Sequence, residues 1–238
     1  MNSSAINYKK LYQLQDSVLN LLTGRLGSFY LTGGTALGRY YLHHRFSDDL
    51  DFFVNRDVNF KEETRRIYLL LQENIHVDTN STIDADEFVR IWIEGEVKMK
   101  LEFVNDIAFR EGETLFYGSI PLDNPLNILA NKLGAMLGRD EAKDIFDIAT
   151  IAENFSFNWK MIYRCAIKKQ IMNEQDILMR LTTFPVSWLP EQKWLREPVN
   201  LEQFKQKLDT ISHDFLFGND NSLGEGKTPI EEAMPKEE

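Results

Sequence analysis

Two aspartates, Asp49 and Asp51, are the residues whose type and spacing point most directly to chemistry. They alternate with Leu50 in a stretch typical of a strand, and side chains two apart on a strand lie on the same face. Two carboxylates held this close repel each other unless a cation lies between them. Hard oxygen ligands favour Mg²⁺ or Mn²⁺ over zinc, so the pair predicts a site for one of these metals. The alternative is a solvated strand end.

A pair of glycines, Gly33 and Gly34, lies between a short predicted strand and a predicted helix over residues 35–42. Glycines let backbone amides approach a phosphate, and the N-terminus of a helix adds a favourable dipole. Thr35 would cap this helix or contact a phosphate. The spacing matches neither the dinucleotide fingerprint nor a P-loop. The glycines therefore predict a phosphate-binding turn of another design, with an ordinary tight turn as the alternative.

A third carboxylate, Glu102, comes from the strand predicted over residues 97–104. Apolar and polar residues alternate there, so Lys98, Lys100 and Glu102 share the polar face. Glu102 is therefore the predicted third metal ligand, and Asp106 is the fallback. The alternative is a solvent-facing stripe in which Lys100 and Glu102 neutralise each other.

A fourth group of charges lies further along the chain, where Lys132, Arg139, Lys143 and Asp147 are spaced by seven, four and four residues. If one helix continues past Gly138, these spacings place them along a single stripe. A basic stripe opposite an acidic metal site would suit a triphosphate. The alternative is ordinary pairing on a helix surface, notably of Lys143 with Asp147.

The elements that must position these residues fall into two groups. Strand-like and helical segments are mixed up to about residue 120, and helical periodicity dominates after two prolines, Pro121 and Pro125. We therefore expect a mixed sheet with flanking helices over residues 1–120 and a helical bundle over residues 121–217, an α+β protein. Residues 218–238, rich in Gly, Pro and Glu, are predicted to be a disordered acidic tail.

Composition narrows the class of protein. The 238 residues carry a net charge of −10, which does not suggest a general nucleic-acid binder, although residues 163–170 form a local basic patch with one tyrosine. No apolar run approaches the roughly 20 residues needed to span a bilayer, and the N-terminus lacks a signal-peptide core. A single cysteine, Cys165, allows no internal disulfide and no cysteine-based zinc cluster. We expect a cytoplasmic protein without membrane contact.

Three stretches together resemble a known family. They are LTGGTAL (residues 31–37), HRFSDDLDFF (residues 44–53) and NKLGAMLGRDEAKDIFDI (residues 131–148). In this order they resemble the nucleotidyltransferase fold of the DNA polymerase β superfamily, and more specifically the AbiEii/AbiGii toxin family. The strong matches cover residues 28–55 and 97–150. The resemblance implies a polymerase β-type mixed sheet followed by helices.

The resemblance also implies roles for individual residues. Asp49 and Asp51 would bind metal, and Gly33 and Gly34 would lie on the phosphate side. The family's helical motif falls on Lys132, Lys143, Asp144 and Asp147. Relatives imply a toxin of a toxin–antitoxin or phage-defence pair that adds nucleotides to tRNA 3′ ends, with a cognate antitoxin as partner.

The expected reaction is transfer of a nucleoside monophosphate from an NTP to an acceptor hydroxyl, with release of pyrophosphate. Two Mg²⁺ ions would lie among the three strand acids, and Glu102 or Asp144 would take the proton. Lys132, Arg139 and Lys143 would neutralise the pyrophosphate. Two alternatives remain: a transferase acting on a small molecule or a protein hydroxyl, and a non-catalytic binding protein with a vestigial site.

Overall fold

The protein, described as a computed structural model over residues 6–236, combines a mixed sheet with two sets of helices. The elements follow the order α1 (Tyr8–Leu22), β1 (Tyr30–Thr32), α2 (Gly33–Tyr40), β2 (Leu50–Asn55), α3 (Phe60–Asn74), β3 (Val77–Ala85), β4 (Phe88–Ile93), β5 (Met99–Asp106), β6 (Leu115–Tyr117), β7 (Ile120–Leu122), α4 (Pro125–Gly138), α5 (Ala142–Asn154), α6 (Trp159–Lys169), α7 (Glu174–Thr183) and α8 (Leu201–Phe217). Short 3-10 helices follow α7 and α8. The predicted α+β class is confirmed.

The sheet has seven strands in the order β3-β4-β5-β2-β1-β7-β6. β2 lies at its centre, parallel to β5 and antiparallel to β1. Leu50, Phe52 and Val54 alternate inward and are buried, so the intervening residues of β2 face the opposite side. The same alternation in β5 buries Leu101 and Phe103. The two strands therefore present their polar residues on a common face.

The observed sheet differs from the predicted sheet in two places. β3 was missed because its sequence, VDTNSTIDA, is polar and its side chains are mostly exposed, so it lacks the alternation that marks a half-buried strand. The single edge strand predicted over residues 115–120 is a hairpin of β6 and β7, in which Tyr117 pairs with Ile120. The helix predicted over residues 35–42 and the strand predicted over residues 97–104 are each observed two residues away from the predicted bounds, as α2 and β5.

The helical half is packed against the same core as the sheet. α4 begins at Pro125, with the Asn124 side chain accepting a hydrogen bond from the backbone N–H of Asn127 at 2.8 Å, which is the usual capping arrangement. Buried residues of α4, α5, α6 and α8 join those of the sheet in one continuous cluster. The division into domains at residues 120 and 121 therefore stays a prediction.

The condition for a single charged stripe, one helix that continues past Gly138, is not met. α4 ends at Gly138, Arg139 adopts an extended conformation (φ −153°, ψ 152°), and α5 begins at Ala142. Lys132 and Lys143 consequently lie on two different helices, and the single stripe predicted from their spacing does not exist.

The C-terminal segment differs from the predicted disordered tail. After Gly218 ends α8 in a left-handed conformation, residues 219–236 run back over the connection between α5 and α6. Ile230 and Ala233 are buried, and the Asn221 side chain donates hydrogen bonds to the carbonyls of Ala152 and Phe155 at 2.6 and 2.8 Å. These buried side chains and hydrogen bonds hold the segment against the body of the protein, although its composition is polar. The last two residues of the predicted tail lie outside the described residues.

Within residues 6–236, the structure contains no helix that combines the length and the hydropathy required to cross a bilayer.

Candidate active site

The polar face of β2 and β5 forms one wall of a cleft with a cavity of about 570 Å³. The opposite wall comes from α4, the α4–α5 connection and the end of α6. A cavity of this size is typical of small-molecule sites. Charged residues line it from both walls: Arg45, Asp48, Asp49, Asp51, Lys100, Glu102, Asp106, Lys132, Arg139, Glu141, Lys143 and Lys169.

Asp49, Asp51 and Glu102, here called the acid cluster, meet on the sheet side of this cleft. Asp51 pairs directly with Glu102 across the parallel β2–β5 ladder, and Asp49 precedes β2 by one residue. Lys100 lies between two of the acids, with its Nζ 3.1 Å from Asp49 Oδ2 and 3.2 Å from Glu102 Oε1. Arg90 Nε donates to Glu102 Oε1 at 2.7 Å. Register thus favours Glu102 over Asp106, which lies four residues further along β5.

The pKa values in the acid cluster reflect crowding of negative charge. Burial, reinforced by Asp49 and Glu102, raises the pKa of Asp51 to about 7. Burial also raises the pKa of Asp49, although Lys100 and Lys143 oppose the shift. The pKa of Glu102 is lowered, because the hydrogen bond from Arg90 and the charge of Lys100 outweigh its burial. Two of the three carboxylates therefore lack enough positive charge nearby.

This donor set fits a hard divalent cation. Its donors are carboxylate oxygens, and the cation now nearest to two of them is the Lys100 ammonium, which occupies the position between Asp49 and Glu102. Across the described part of the chain, no three His, Cys, Asp or Glu side chains are already gathered in a ligand cluster. Binding would therefore require Lys100 to move aside from the acids.

The two glycines lie at the start of α2, directly beside the acid cluster. Gly33 has a left-handed conformation (φ +67°), and a Cβ there would lie 2.9 Å from Asp51 Oδ2. A Cβ on Gly34 would collide with the Arg45 guanidinium and lie 3.0 Å from Ser47 Oγ. Both positions need glycine because polar side chains approach the backbone closely. Both glycines border the cleft at the positive end of a helix, as a phosphate-binding turn requires.

Thr35 has neither of its predicted roles, which were to cap α2 or to contact a phosphate. It is fully buried, and its hydroxyl donates a hydrogen bond to the backbone carbonyl of Asp49. Thr35 therefore fixes the backbone of a cluster acid and is not available to a phosphate. Its side chain does not cap α2 either.

At the opposite wall, five side chains form an ion network around two buried aspartates: Arg45, Lys132, Arg139, Asp144 and Asp147. Lys132 Nζ lies 2.7 Å from a carboxylate oxygen of both Asp144 and Asp147. Arg45 binds Asp147 through two nitrogens at 2.6 and 2.7 Å, and Arg139 binds Asp144 at 2.7 and 3.0 Å. Three cations against two anions leave one positive charge, and it is the cations that border the cleft.

The network changes the roles predicted for two acids. Asp144 and Asp147 are completely buried and do not line the cleft. Burial opposes their ionisation, but Lys132 and Arg139 lower the pKa of Asp144, and Arg45 and Lys132 hold the pKa of Asp147 well below its ordinary value. Both stay ionised as counterions, which makes Asp144 unsuitable as a proton acceptor and Asp147 unsuitable as a nucleotide contact.

The predicted phosphate-side cations reach the cleft in different ways. Lys132 is 5 % exposed and occupied by its two aspartates. The Arg139 side chain is half-exposed and shares Asp144. Lys143 is the least constrained of the three, since its nearest carboxylate, Glu141, is 3.9 Å away. It borders the cleft close enough to Asp49 to influence the pKa of that acid.

Among the residues that sequence reasoning missed are Lys100 and Lys169, which line the cleft, and Arg90, which donates to Glu102. Lys100 was considered only as part of a solvent-facing stripe, and Arg90 and Lys169 were not considered as site residues. For Arg90 the alternation of β4 gave a usable signal, because it places Arg90 opposite Glu102 in an antiparallel pair. For Lys169 there was none, since the end of a basic helix is indistinguishable from a solvated face.

The sequence and the fold are both similar to those of known proteins. A family model described as nucleotidyl transferase AbiEii toxin, type IV TA system, matches residues 24–232. No curated protein matches the chain significantly. JHP933 from Helicobacter pylori is 21% identical, with coverage of 87% of this chain and 90% of that chain and a TM-score of 0.57. MenT4, the nucleotidyltransferase toxin Rv2826c from Mycobacterium tuberculosis H37Rv, is 16% identical, with coverage of 91% and 85% and a TM-score of 0.65.

The two structural neighbours share the fold, a mixed sheet followed by helices, as the resemblance implied. The family model spans most of the chain, including both glycines, the acid cluster and the ion network. The chain belongs to the AbiEii nucleotidyltransferase toxin family of type IV toxin–antitoxin systems.

Proposed function

We propose that the cleft uses a divalent metal, Mg²⁺ or Mn²⁺, to transfer a nucleoside monophosphate from an NTP to the 3′ end of a tRNA. The observation that carries this proposal is the placement of Asp49 and Asp51 beside Glu102, facing a cleft whose other wall is cationic. Acids on one wall and cations on the other suit a metal-bound triphosphate.

Asp49, Asp51 and Glu102 would hold the metal through their carboxylate oxygens. When bound, such a metal neutralises the phosphates and lowers the pKa of an acceptor hydroxyl. The high pKa of Asp51 supports this assignment, since a carboxylate without sufficient counterions gains most from a cation. Lys100 would keep contact with the acids only while the metal is absent.

The phosphates would lie against the N-terminus of α2. The backbone of Gly33 and Gly34 can approach them without side-chain obstruction, and the helix dipole favours their charge. Lys143 and Arg139 would neutralise the leaving pyrophosphate, while Lys132 contributes mainly through the positive field of the ion network.

Two carboxylates, Glu102 and Asp144, were predicted to take the proton of the acceptor hydroxyl, and only Glu102 is accessible. Glu102 borders the cleft with its side chain 17 % exposed, whereas Asp144 is enclosed by Lys132 and Arg139. Because the pKa of Glu102 is lowered, it would act as a relay to solvent rather than as a strong base.

The acceptor follows from the family and from the reaction chemistry. Members of this family are toxins of toxin–antitoxin systems, so we propose a cytoplasmic toxin in phage defence that an antitoxin protein restrains. A tRNA 3′ end presents the free hydroxyl that the reaction needs. A small molecule or a protein hydroxyl offers the same chemical group. A non-catalytic protein with a vestigial site would need no acceptor.

One assay separates these acceptors. The purified protein is incubated with each α-labelled NTP, Mg²⁺ and total RNA, protein and metabolite fractions of a cell extract. Label in tRNA is the expected result. Label in protein or in a small molecule would assign the alternative acceptor, and absence of label with every NTP would identify a non-catalytic protein.

Asp49→Ala is the corresponding site variant. It should abolish transfer while the circular dichroism spectrum stays unchanged, because Asp49 is partly exposed and its burial already disfavours the charged carboxylate in the folded chain. The exposed Asp209→Ala on α8 serves as the matched control and should transfer normally. Transfer by Asp49→Ala at the wild-type rate would refute the assignment of the site.

A further inference from the structure

The α4–α5 connection, residues 139–141, begins with Arg139 and ends two residues before Lys143, and both cations border the cleft. All three residues of the connection are exposed, and the Glu141 side chain makes no capping hydrogen bond to α5. A cavity of about 50 Å³ is lined by the connection and by the end of α7. Few close contacts therefore hold the connection, and its position depends on individual hydrogen bonds.

Arg180, in the last turn of α7, makes several of these bonds. Its Nε donates to the carbonyl of Met136 at 2.8 Å, and its Nη2 donates to the carbonyl of Arg139 at 3.2 Å. The same Nη2 lies 2.5 Å from Asp140 Oδ1. One planar guanidinium thus joins the last turn of α4 to the first two residues of the connection.

These bonds reach groups that the end of a helix leaves without partners. The last carbonyls of an α-helix have no donor within the helix, and α4 ends at Gly138. The N–H of Arg139 still serves the carbonyl of Ala135, but Met136 is buried and its carbonyl needs another donor. Arg180 supplies that donor, and its charge is favourable at the negative end of the helix dipole.

Arg139 is consequently held at two points. Asp144 binds its guanidinium at 2.7 and 3.0 Å, and Arg180 binds its backbone carbonyl. The first contact orients the side chain, whereas the second fixes the backbone that leads into α5 and Lys143. Misplacement of a contacting group by about 1 Å can lower a reaction rate by about 10²-fold. The position of both cations in the cleft therefore depends on Arg180.

We propose that Arg180 is a positioning residue for nucleotidyl transfer, which fixes the α4–α5 connection so that Arg139 and Lys143 face the triphosphate. This inference rests on the proposed function. Arg180 lies outside the lining of the cleft and acts through these two cations. Its loss weakens contacts to the phosphate chain and leaves the acid cluster on the opposite wall unchanged.

The first test is Arg180→Met in the full chain, which keeps an unbranched side chain and removes every donor. In initial-rate measurements with Mg²⁺, KM for the NTP should rise about 5-fold and kcat should fall about 10-fold, because the cations are misplaced. Calorimetric titration should show about 5-fold weaker binding of Mg²⁺-pyrophosphate. A merely structural role would reduce the fraction of active protein, and so lower kcat, without changing KM or the affinity for pyrophosphate.

Asp140→Ala is the matched control. It removes the ion pair with Arg180 and leaves both hydrogen bonds from Arg180 to backbone carbonyls. Because an ion pair with a mostly exposed carboxylate contributes little, KM and the affinity for pyrophosphate should stay within about 2-fold of the wild-type values.

A double-mutant cycle with Arg139→Met tests whether Arg180 acts through Arg139. In the Arg139→Met protein, Arg180→Met should weaken pyrophosphate binding by less than about 2-fold, since the contact that Arg180 positions is already lost. Arg180→Lys is the second variant should Arg180→Met fold poorly, which thermal unfolding would reveal. One ammonium cannot reproduce the fork of bonds, so its KM should rise in the same direction by a smaller factor.

Unchanged KM and pyrophosphate affinity in the folded Arg180 variants would overturn the inference, with nucleotidyl transfer still standing. Fully additive effects of Arg180→Met and Arg139→Met would overturn it as well, because Arg180 would then act independently of the cation. Failure of the wild-type protein to transfer any nucleotide would refute the proposed function and this inference with it.

Discussion

The acid cluster and the ion network face each other across the cleft and are built from the same residue types, yet they are opposite in design. In the ion network every carboxylate has two cationic partners and is completely buried. In the acid cluster Asp51 has carboxylates as its strongest charged neighbours, and its pKa rises to about 7. Buried charges are tolerated when they are paired, and unpaired ones mark a position reserved for another charge. We infer that the two aspartates of the network are structural and that the acid cluster is functional.

The sharpest test of this contrast is Asp51→Asn. It should lower the rate of nucleotidyl transfer by roughly 10³-fold, because a metal ligand worth several kcal/mol in the transition state is lost. The free energy of unfolding should stay the same or rise, since the change removes repulsion with Asp49 and Glu102. Initial rates and urea unfolding at pH 8 measure the two effects. A strong loss of stability would place Asp51 in the structural class.

Asp147→Ala should show the reverse pattern in its effect on stability. Removing this carboxylate leaves Arg45 and Lys132 buried beside an uncompensated position, which costs about 3–5 kcal/mol in the free energy of unfolding. Urea denaturation measures the change. Asp140→Ala is the control, because its ion pair with Arg180 is formed by a mostly exposed side chain and is worth at most about 1 kcal/mol. Equal effects of the two substitutions would mean that the network contributes no special stability.

Much of the acid cluster was predictable because strand alternation has a strict period. The alternation places Asp49 and Asp51 on one face of β2 and Glu102 on the polar face of β5 without knowledge of the fold. The ion network was not predictable in the same way. Arg45 and Asp147 are 102 residues apart, and no local pattern announces that they form a buried pair. Spacing instead suggested a helical stripe, which the end of α4 at Gly138 rules out.

The C-terminal segment shows a related limit of composition. Glycine, proline and glutamate predict disorder because such segments lack apolar surface to bury. Here the segment is ordered by one isoleucine, one alanine and the buried Asn221 amide, since the body of the protein provides the surface and the hydrogen-bond acceptors. Whether a polar segment orders depends on its neighbours, and its own sequence does not contain them.

Gly33→Ala sharpens the comparison at the border of the acid cluster. The left-handed conformation alone should cost about 1 kcal/mol of stability. Gly118→Ala is the matched control for Gly33→Ala, since Gly118 has φ +57° and a Cβ added there would meet no atom of the described residues within 4 Å. Only Gly33→Ala should also slow transfer, by up to about 10²-fold, because its methyl group would displace the Asp51 carboxylate. Equal activity of both variants would show that the close approach of Gly33 to Asp51 has no catalytic consequence.

The smallest expected effect concerns His44, which lies at the edge of the ion network with Nε2 2.8 Å from Asp147 Oδ1. Burial lowers its pKa, assisted by Arg45 and Lys132 and opposed by Asp147. The unfolded chain therefore binds a proton at a higher pH than the folded one. Stability is complete above the unfolded pKa of about 6.5 and falls as the pH is lowered through that value.

Between pH 7 and pH 6 the wild-type protein should lose at most about 0.7 kcal/mol in the free energy of unfolding through this group. His44→Gln should not show that loss, whereas His76→Gln, at an exposed position, should retain it. Urea denaturation at both pH values measures the difference between the variants. Parallel losses in wild type and His44→Gln would mean that the network accommodates a protonated His44, and then its cations do not carry the excess positive field assigned to them on the phosphate side of the cleft.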